Sequence, residues 1–422
     1  MLAALLSVLA LVQAVHKARK GQCALLKWRP HIEALERGEI IYGREGGGTR
    51  EGFPTPPTTA IALSPFLELA DVPAAVAWAV LKLALAWWML ATVARMVAGS
   101  VKAFPPWALV VVIALTARVL LSDIAHGNVN IPVAAIVVAA GWQWQRGNER
   151  SAGLLAGLGA ALKVTPALFL VYFLWKRGFR ALFHFVVGVA LAGLALPMLV
   201  LGPRHHLDLV AAWWQQMVAP YASGAELTVV QTEQINQSML GVLARLLTDS
   251  IAIRARPPIF PGDVSINFVS LSQGELRLCL AACTILVLAV VACCSRTPRE
   301  RRSTPSTAGE IALVALAMLF LSERSWKQHY VTLCLPIAFL AWLAATRGGS
   351  DRVGRSSVIA LAVSTLLHGL SGSGALGDVA SDYAEAYGAW FFGGVALFAA
   401  CGFALRRFFF QKGSWARDSG PS

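Results

Sequence analysis

Apolar residues run in long blocks along this chain, separated by short polar or basic stretches. The blocks are long enough to cross a hydrocarbon core roughly 30 Å thick. The pattern predicts membrane spans at 2–15, 74–95, 106–121, 129–144, 179–201, 276–294, 311–321, 330–345, 358–370 and 389–405. Between positions 151 and 175 it changes. A Gly/Ala-rich half, GLLAGLGAALK, leads into Thr165-Pro166 and then an apolar half, ALFLVYFLW. Each half is too short to cross alone, so the segment reads as one kinked span or as a hairpin of two half-length helices that dips in and returns.

The basic residues favour the hairpin. With it, Arg95 and Lys102, Arg146 and Arg150, Lys176, Arg177 and Arg180, Arg296 to Arg302, Arg347 to Arg355 and the tail from Arg406 all share one side. The excess of Lys and Arg makes that side cytoplasmic. Lys17, Arg19 and Lys20 go against the pattern, in a long external loop where the charge rule holds less strictly. The expected fold is therefore an all-α integral membrane protein: one polytopic domain over 1–422 with about ten spans, a dipping hairpin at 151–175, and two long outer loops at 17–59 and 202–275. Within the first loop, Trp28 to Arg37 suits a short amphipathic helix at the interface. The first apolar run lacks a basic stretch ahead of it and reads as an uncleaved anchor.

Composition narrows the class. Of 422 residues, 57% are hydrophobic and 14% charged, against roughly a quarter charged in soluble domains, which excludes soluble, disordered and collagen-like chains. The net charge of +13 is spread over short loops, so it reports membrane orientation rather than nucleic-acid binding. Seven cysteines, most of them within apolar runs, form no CxxC and no Cys/His ligand spacing, and read as small buried hydrophobes. No metal or cofactor is expected. The chain shows no internal repeat, which weakens an inverted-repeat transporter.

Four polar groups stand where polarity is expensive. Asp123, His126, Asn128 and Asn130 crowd an outer helix end, where they suit either a hydroxyl-rich substrate or a turn capping two helices. Lys163 lies at the hairpin tip, where an uncompensated charge costs roughly 2.5 to 3.5 kcal/mol. An anion must answer it: a ligand phosphate, a nearby carboxylate or lipid headgroups. Asn236, Gln237 and Ser238 lead a polar strip into an apolar stretch, as a ligand-facing helix start or a plain cap. Glu323, Arg324, Ser325, Trp326, Lys327 and His329 fall together on the same outer face, a mixture that suits a sugar ring and a phosphate, or a solvated connector with an interfacial Trp.

The order of HGNVN, GNER, GLLAGLGAALKVTPALFLVYFLWKRGFRAL, INQSMLGVLARLL and SERSWKQHYVTLCLP resembles family 87 of the membrane-embedded GT-C glycosyltransferases, polyprenol-phosphate-mannose-dependent alpha-mannosyltransferases. The resemblance runs from about Tyr42, through FPTPPTTAIALSPF, to Pro336. It implies that Asn128 and Asn130 occupy the family's Gly-Gln-x-Asn position, with Asn128 in place of Gln. Lys163 and Pro166 match its Lys-x-x-Pro, Asn236 to Ser238 its Asn-Gln-Ser, and Ser325, Trp326 and His329 its Ser-Trp-x-x-His, with Gln328 replacing a frequent first histidine. One departure is large. The family carries an Asp early in the first outer loop as its base, and this chain has no Asp before Asp71. Glu33 or its neighbours Glu36 and Glu39, Asp123 and Glu323 are the remaining candidates, although Glu33 and Glu36 also suit a solvated helix face.

The resemblance implies a hexosyltransferase of the cell envelope, in a bacterial plasma membrane with its site on the non-cytoplasmic side. A sugar, expected to be mannose, would pass from a polyprenyl-phosphate donor to a lipid or glycan acceptor without a metal. In this reading Lys163, His329, Arg324 and Lys327 face the donor phosphate, and His126, Asn128, Asn130, Asn236, Gln237, Ser238 and Trp326 hold substrate. The alternatives are a transporter or flippase of a lipid-linked sugar, and a family member that binds the donor without catalysis.

Overall fold

The computed structural model describes residues 2–43, 53–222 and 231–410. Parts of both long loops expected above, and most of the basic tail, lie outside the described residues. Seven described helices are long and apolar enough to cross a membrane: Asp71–Ala98, Pro106–His126, Phe179–Leu201, Gln273–Cys294, Lys327–Arg347, Arg352–Leu370 and Ala389–Arg407. Among the described residues, seven helices rather than the expected ten meet that length and composition. Asn130–Gln145 and Pro305–Phe320 have 16 residues each, a rise of about 24 Å, short of a hydrocarbon core. Their apolarity has another cause. Every residue of the second from Thr307 to Phe320 is buried by other helices, so its greasy surface faces protein rather than lipid. The first run forms Leu2–Arg19, of 18 residues, ending in His16, Lys17 and Arg19.

Helix starts explain why several spans begin earlier than the apolar runs do. Asp351 caps Arg352–Leu370 by accepting from Val353 and Gly354 N–H at 2.7 and 3.1 Å. Ser272 and Glu275 form a reciprocal capping box on Gln273–Cys294. Polar residues that read as loop are therefore first turns of helix.

The 151–175 segment is built from Glu149–Leu162, a 3₁₀ turn at Thr165–Ala167 and Leu168–Trp175. Lys163 between them is extended, with φ −154° and ψ 129°. Its glycines let backbones touch. A Cβ on Gly153 would sit 2.1 Å from the Ala181 carbonyl oxygen, and one on Gly157 2.3 Å from that of Phe185. This is the small-residue contact that membrane helices use for close packing. One arginine reaches both ends of the segment: Arg299 donates to the Arg177 carbonyl at 3.2 Å and to the Glu149 carboxylate. The chain therefore leaves and re-enters at the same end of the bundle.

That end gathers the basic loops. Gln145 donates to the carbonyls of Met96 and Thr304 at 2.8 and 3.0 Å, Arg302 pairs with Glu149 at 3.0 Å, and Lys176 pairs with buried Glu310 at 3.0 Å. Burial disfavours the Glu149 carboxylate, but hydrogen bonds from Arg302 and Arg299 outweigh it and hold the group below its ordinary value. At the opposite end, Arg29–Glu36 turns His31, Ile32, Ala34 and Leu35 inward. Those residues pack beside Phe53 and Tyr42 in the protein's own second core, so the apolar face of this short helix is covered by its neighbours.

Candidate active site at the far end of the bundle

Four segments distant in sequence meet at the end away from Arg299 and Arg302. Lys163 is brought there by the hairpin turn, and Thr59 fastens that turn by donating to the Leu162 carbonyl at 2.6 Å. The Lys163 ammonium donates to the Asn130 side-chain oxygen at 2.8 Å. Among the described residues no carboxylate lies within ion-pair distance of it. Lys163 and Asn130 line a cavity of about 30 Å³ together with Thr165, Ser322, Ser325, His329 and Thr332, room for one or two waters.

Beneath Asn130 lies a buried chain of polar groups. Asp123 accepts from the Asn130 amide at 2.9 Å and from the Ile131 N–H at 3.3 Å, and it pairs with Lys82 at 2.7 Å. Both charged side chains are 0% exposed. Asp123 thus accepts from three donors and is enclosed by protein, away from the pocket lining. Lys82 was not among the sequence candidates, although it interrupts the apolar run AVLKLALAW with a charge, the same signal that marks Lys163.

His329 closes the pocket from the 322–329 connector. Its Nδ1 faces the Trp326 N–H at 3.0 Å and the Arg324 carbonyl at 3.1 Å. Each neutral tautomer satisfies one of these contacts, and in either case Nε2 is the ring nitrogen left for a ligand. Trp326 stacks on the imidazole with planes 6° apart and donates its indole N–H to Gln231 at 3.0 Å.

The Asn236–Ser238 strip holds this connector in place. Asn236 donates to the Gln231 and Glu323 carbonyls at 2.9 and 3.1 Å, and its oxygen accepts from Ser238 and Ser325 N–H at 3.1 Å each. Gln237 donates to the carbonyls of Gln234 and Glu385 at 2.6 Å each and accepts from Trp390 N–H at 3.1 Å. Ser238 caps Met239–Leu247. Behind the strip, the fully buried Arg245 donates to the carbonyls of Thr232, Glu233, Asn236, Glu385 and Ala386. Burial lowers its guanidinium from the ordinary arginine range to about 9, with Glu385 pulling the other way, so it stays charged at neutral pH.

The other sequence candidates are scattered. Lys327 points to Glu385 at 3.4 Å; burial pushes that carboxyl up and Lys327 pulls it back only in part. Asn128 turns its oxygen onto the N–H of the next residue, Val129, at 2.7 Å. His126 ends its helix half-buried, next to Gly127, whose carbonyl accepts from Trp78 at 3.0 Å. Glu33 stands exposed on the outer face of its short helix, and Glu36 accepts from Ser64 at 2.5 Å. Glu323 is half-buried, 3.9 Å from the Arg324 guanidinium, and with Asp123 it is a carboxylate within electrostatic reach of Lys163.

A helical bundle with several apolar spans is a multi-pass integral membrane protein, and this one carries a pocket lined by one lysine and several hydroxyls at one end. Residues 53–323 match the model of glycosyltransferase family 87, and the chain belongs to that family. It is 28% identical over 341 residues to the polyprenol-phosphate-mannose-dependent alpha-(1-2)-phosphatidylinositol mannoside mannosyltransferase of Mycobacterium tuberculosis, covering 72% of this chain and 67% of the relative. The protein of the same description from Mycolicibacterium smegmatis is 27% identical, over 78% of this chain and 69% of its own. Among solved structures, ArnT from Cupriavidus metallidurans aligns at 14% identity with a TM-score of 0.40, both in the apo state, over 95% of this chain and 76% of that one, and bound to undecaprenyl phosphate, over 96% and 77%.

Proposed function

We propose that this protein transfers a hexose, mannose in our reading, from a polyprenyl-phosphate donor to a hydroxyl of a lipid or glycan acceptor. The reaction runs at the end of the bundle away from the basic loops, which the Lys and Arg distribution assigns to the non-cytoplasmic side. The observation that carries this reading is Lys163: a cation in a polar pocket, held by one neutral amide oxygen, with donors left over for an anion. Membership of family 87 and the donor printed in the relatives' names support a polyprenyl phosphate as that anion.

In the reaction the acceptor oxygen attacks the anomeric carbon while Glu323 takes the hydroxyl proton. The bond from that carbon to the phosphate oxygen breaks, and the lipid phosphate departs with the electron pair. Negative charge grows on the leaving oxygen, so Lys163, and His329 in the tautomer whose Nδ1 accepts from Trp326 and whose Nε2 carries the proton, stabilise the transition state more than the bound donor. Glu323 is preferred as base because Asp123 is consumed by Lys82 and Asn130, and Glu33 faces outward. Arg245 and the Asn236–Ser238 strip serve by holding the connector that bears Glu323 and His329.

The test is transfer of label from radiolabelled polyprenyl-phosphate mannose in membranes containing this chain. A new labelled lipid or glycan is expected, and Lys163→Ala should abolish it at unchanged expression. Wild-type transfer by that variant would overturn the assignment. Label that crosses the membrane with no new product would favour a transporter instead.

A further inference from the structure

A line of four side chains runs from the buried core to the pocket: Lys82, Asp123, Asn130 and Lys163. The successive contacts are 2.7, 2.9 and 2.8 Å, and the first two groups are 0% exposed. A buried ion pair is poor evidence of a stability device, because desolvation offsets most of its attraction. Direction is what this pair supplies. A carboxylate paired with a lysine accepts hydrogen bonds, and here both Asp123 oxygens do so. Asn130 must therefore turn its amide nitrogen toward Asp123, which leaves its oxygen, and only its oxygen, facing Lys163.

We propose that Lys82 and Asp123 are positioning residues for the donor phosphate: they fix the Asn130 amide so that it aims the Lys163 ammonium into the pocket. Lys82 pairs with Asp123, Asp123 takes the amide nitrogen of Asn130, and the amide oxygen occupies one of the three ammonium protons. Two protons remain for phosphate oxygens. Without the pair, the amide is free to rotate its NH₂ toward Lys163 and repel it. The inference rests on the reading of Lys163 as the donor-phosphate cation.

The experiment replaces the pair by apolar groups of similar size, Lys82→Met with Asp123→Leu, a change that leaves no stranded charge. The full chain in lipid nanodiscs is titrated with undecaprenyl phosphate, and its melting temperature is recorded alongside. Lys163→Ala should weaken binding about tenfold or more, the loss of a charge-assisted hydrogen bond. The double variant should fold, lose a similar factor, and add nothing when combined with Lys163→Ala. Wild-type affinity in the double variant beside a weakened Lys163→Ala overturns the positioning role and leaves the reading of Lys163 intact. Losses that multiply in the combined variant also overturn it, since a pair acting through Lys163 has nothing left to act on. Unchanged binding in Lys163→Ala overturns both. Should the double variant fail to fold, Asn130→Ala, which keeps the ion pair whole, carries the same comparison in both backgrounds, with the same outcomes.

Discussion

Replacing Glu323 by Gln separates the catalytic proposal from structural support. The backbone carbonyl of Glu323 accepts from Asn236 and Ser238, each at 3.1 Å, and those bonds survive any change of side chain. The carboxylate itself stands 3.9 Å from Arg324 at a half-buried site, a contact worth about 1 kcal/mol. Glu323→Gln should therefore keep the connector in place, with its melting temperature recorded beside the parent's. A lost general base costs about 10² to 10⁴ in rate, or roughly 3 to 5 kcal/mol of barrier. The fall should lie in kcat, with the donor KM within about threefold, because the amide keeps the pocket's shape. Glu33→Gln, on the exposed helix face, should retain transfer within about twofold. The assay is single-turnover transfer from labelled polyprenyl-phosphate mannose in nanodiscs. Near-parental kcat in Glu323→Gln, or loss of transfer in Glu33→Gln, would refute the reasoning.

Two further predictions address the fold. Gly157→Leu places carbon 2.3 Å from the Phe185 carbonyl oxygen, backbone that cannot step aside; the hairpin should part from the Phe179–Leu201 helix at a cost of about 2 kcal/mol or more, read as a lower melting temperature with reduced donor binding. Parental melting would show that the contact is slack. Glu149 supplies a pH signature: its folded-state value lies below the ordinary 4.5, so its contribution to stability is complete above about pH 4.5 and is lost as pH falls through the folded value. Thermal melts from pH 6 downward should show this loss, and Glu149→Gln should flatten it. An unchanged acid profile in that variant would remove the role given to Arg299 and Arg302.

Much of the site was legible because charges in apolar runs are costly wherever they occur. Lys163 is conspicuous in sequence for that reason, and so is Lys82 once the same test is applied to it. The meaning of Asp123 is not legible. Its partner lies 41 positions away on another helix, and pairing through space turns a plausible base into a buried structural anion. Asn236 and Gln237 show the same limit. Their polar character is plain in the chain, but whether an amide faces ligand or backbone depends on which carbonyls the fold brings near, here those of Glu323 and Glu385.

The chain by itself determined the membrane class and the segments that form helices, because the hydrophobic effect acts on local runs and their period. It also marked the hairpin, where Gly/Ala-rich and Pro-interrupted halves are too short to cross. Only the tertiary structure decided which apolar helices face protein rather than lipid. Pro305–Phe320 is as greasy as any span and yet enclosed by its neighbours. Only the tertiary structure, too, assigned partners to the charged groups, because an ion pair or an amide's orientation depends on distances between helices that no local pattern encodes.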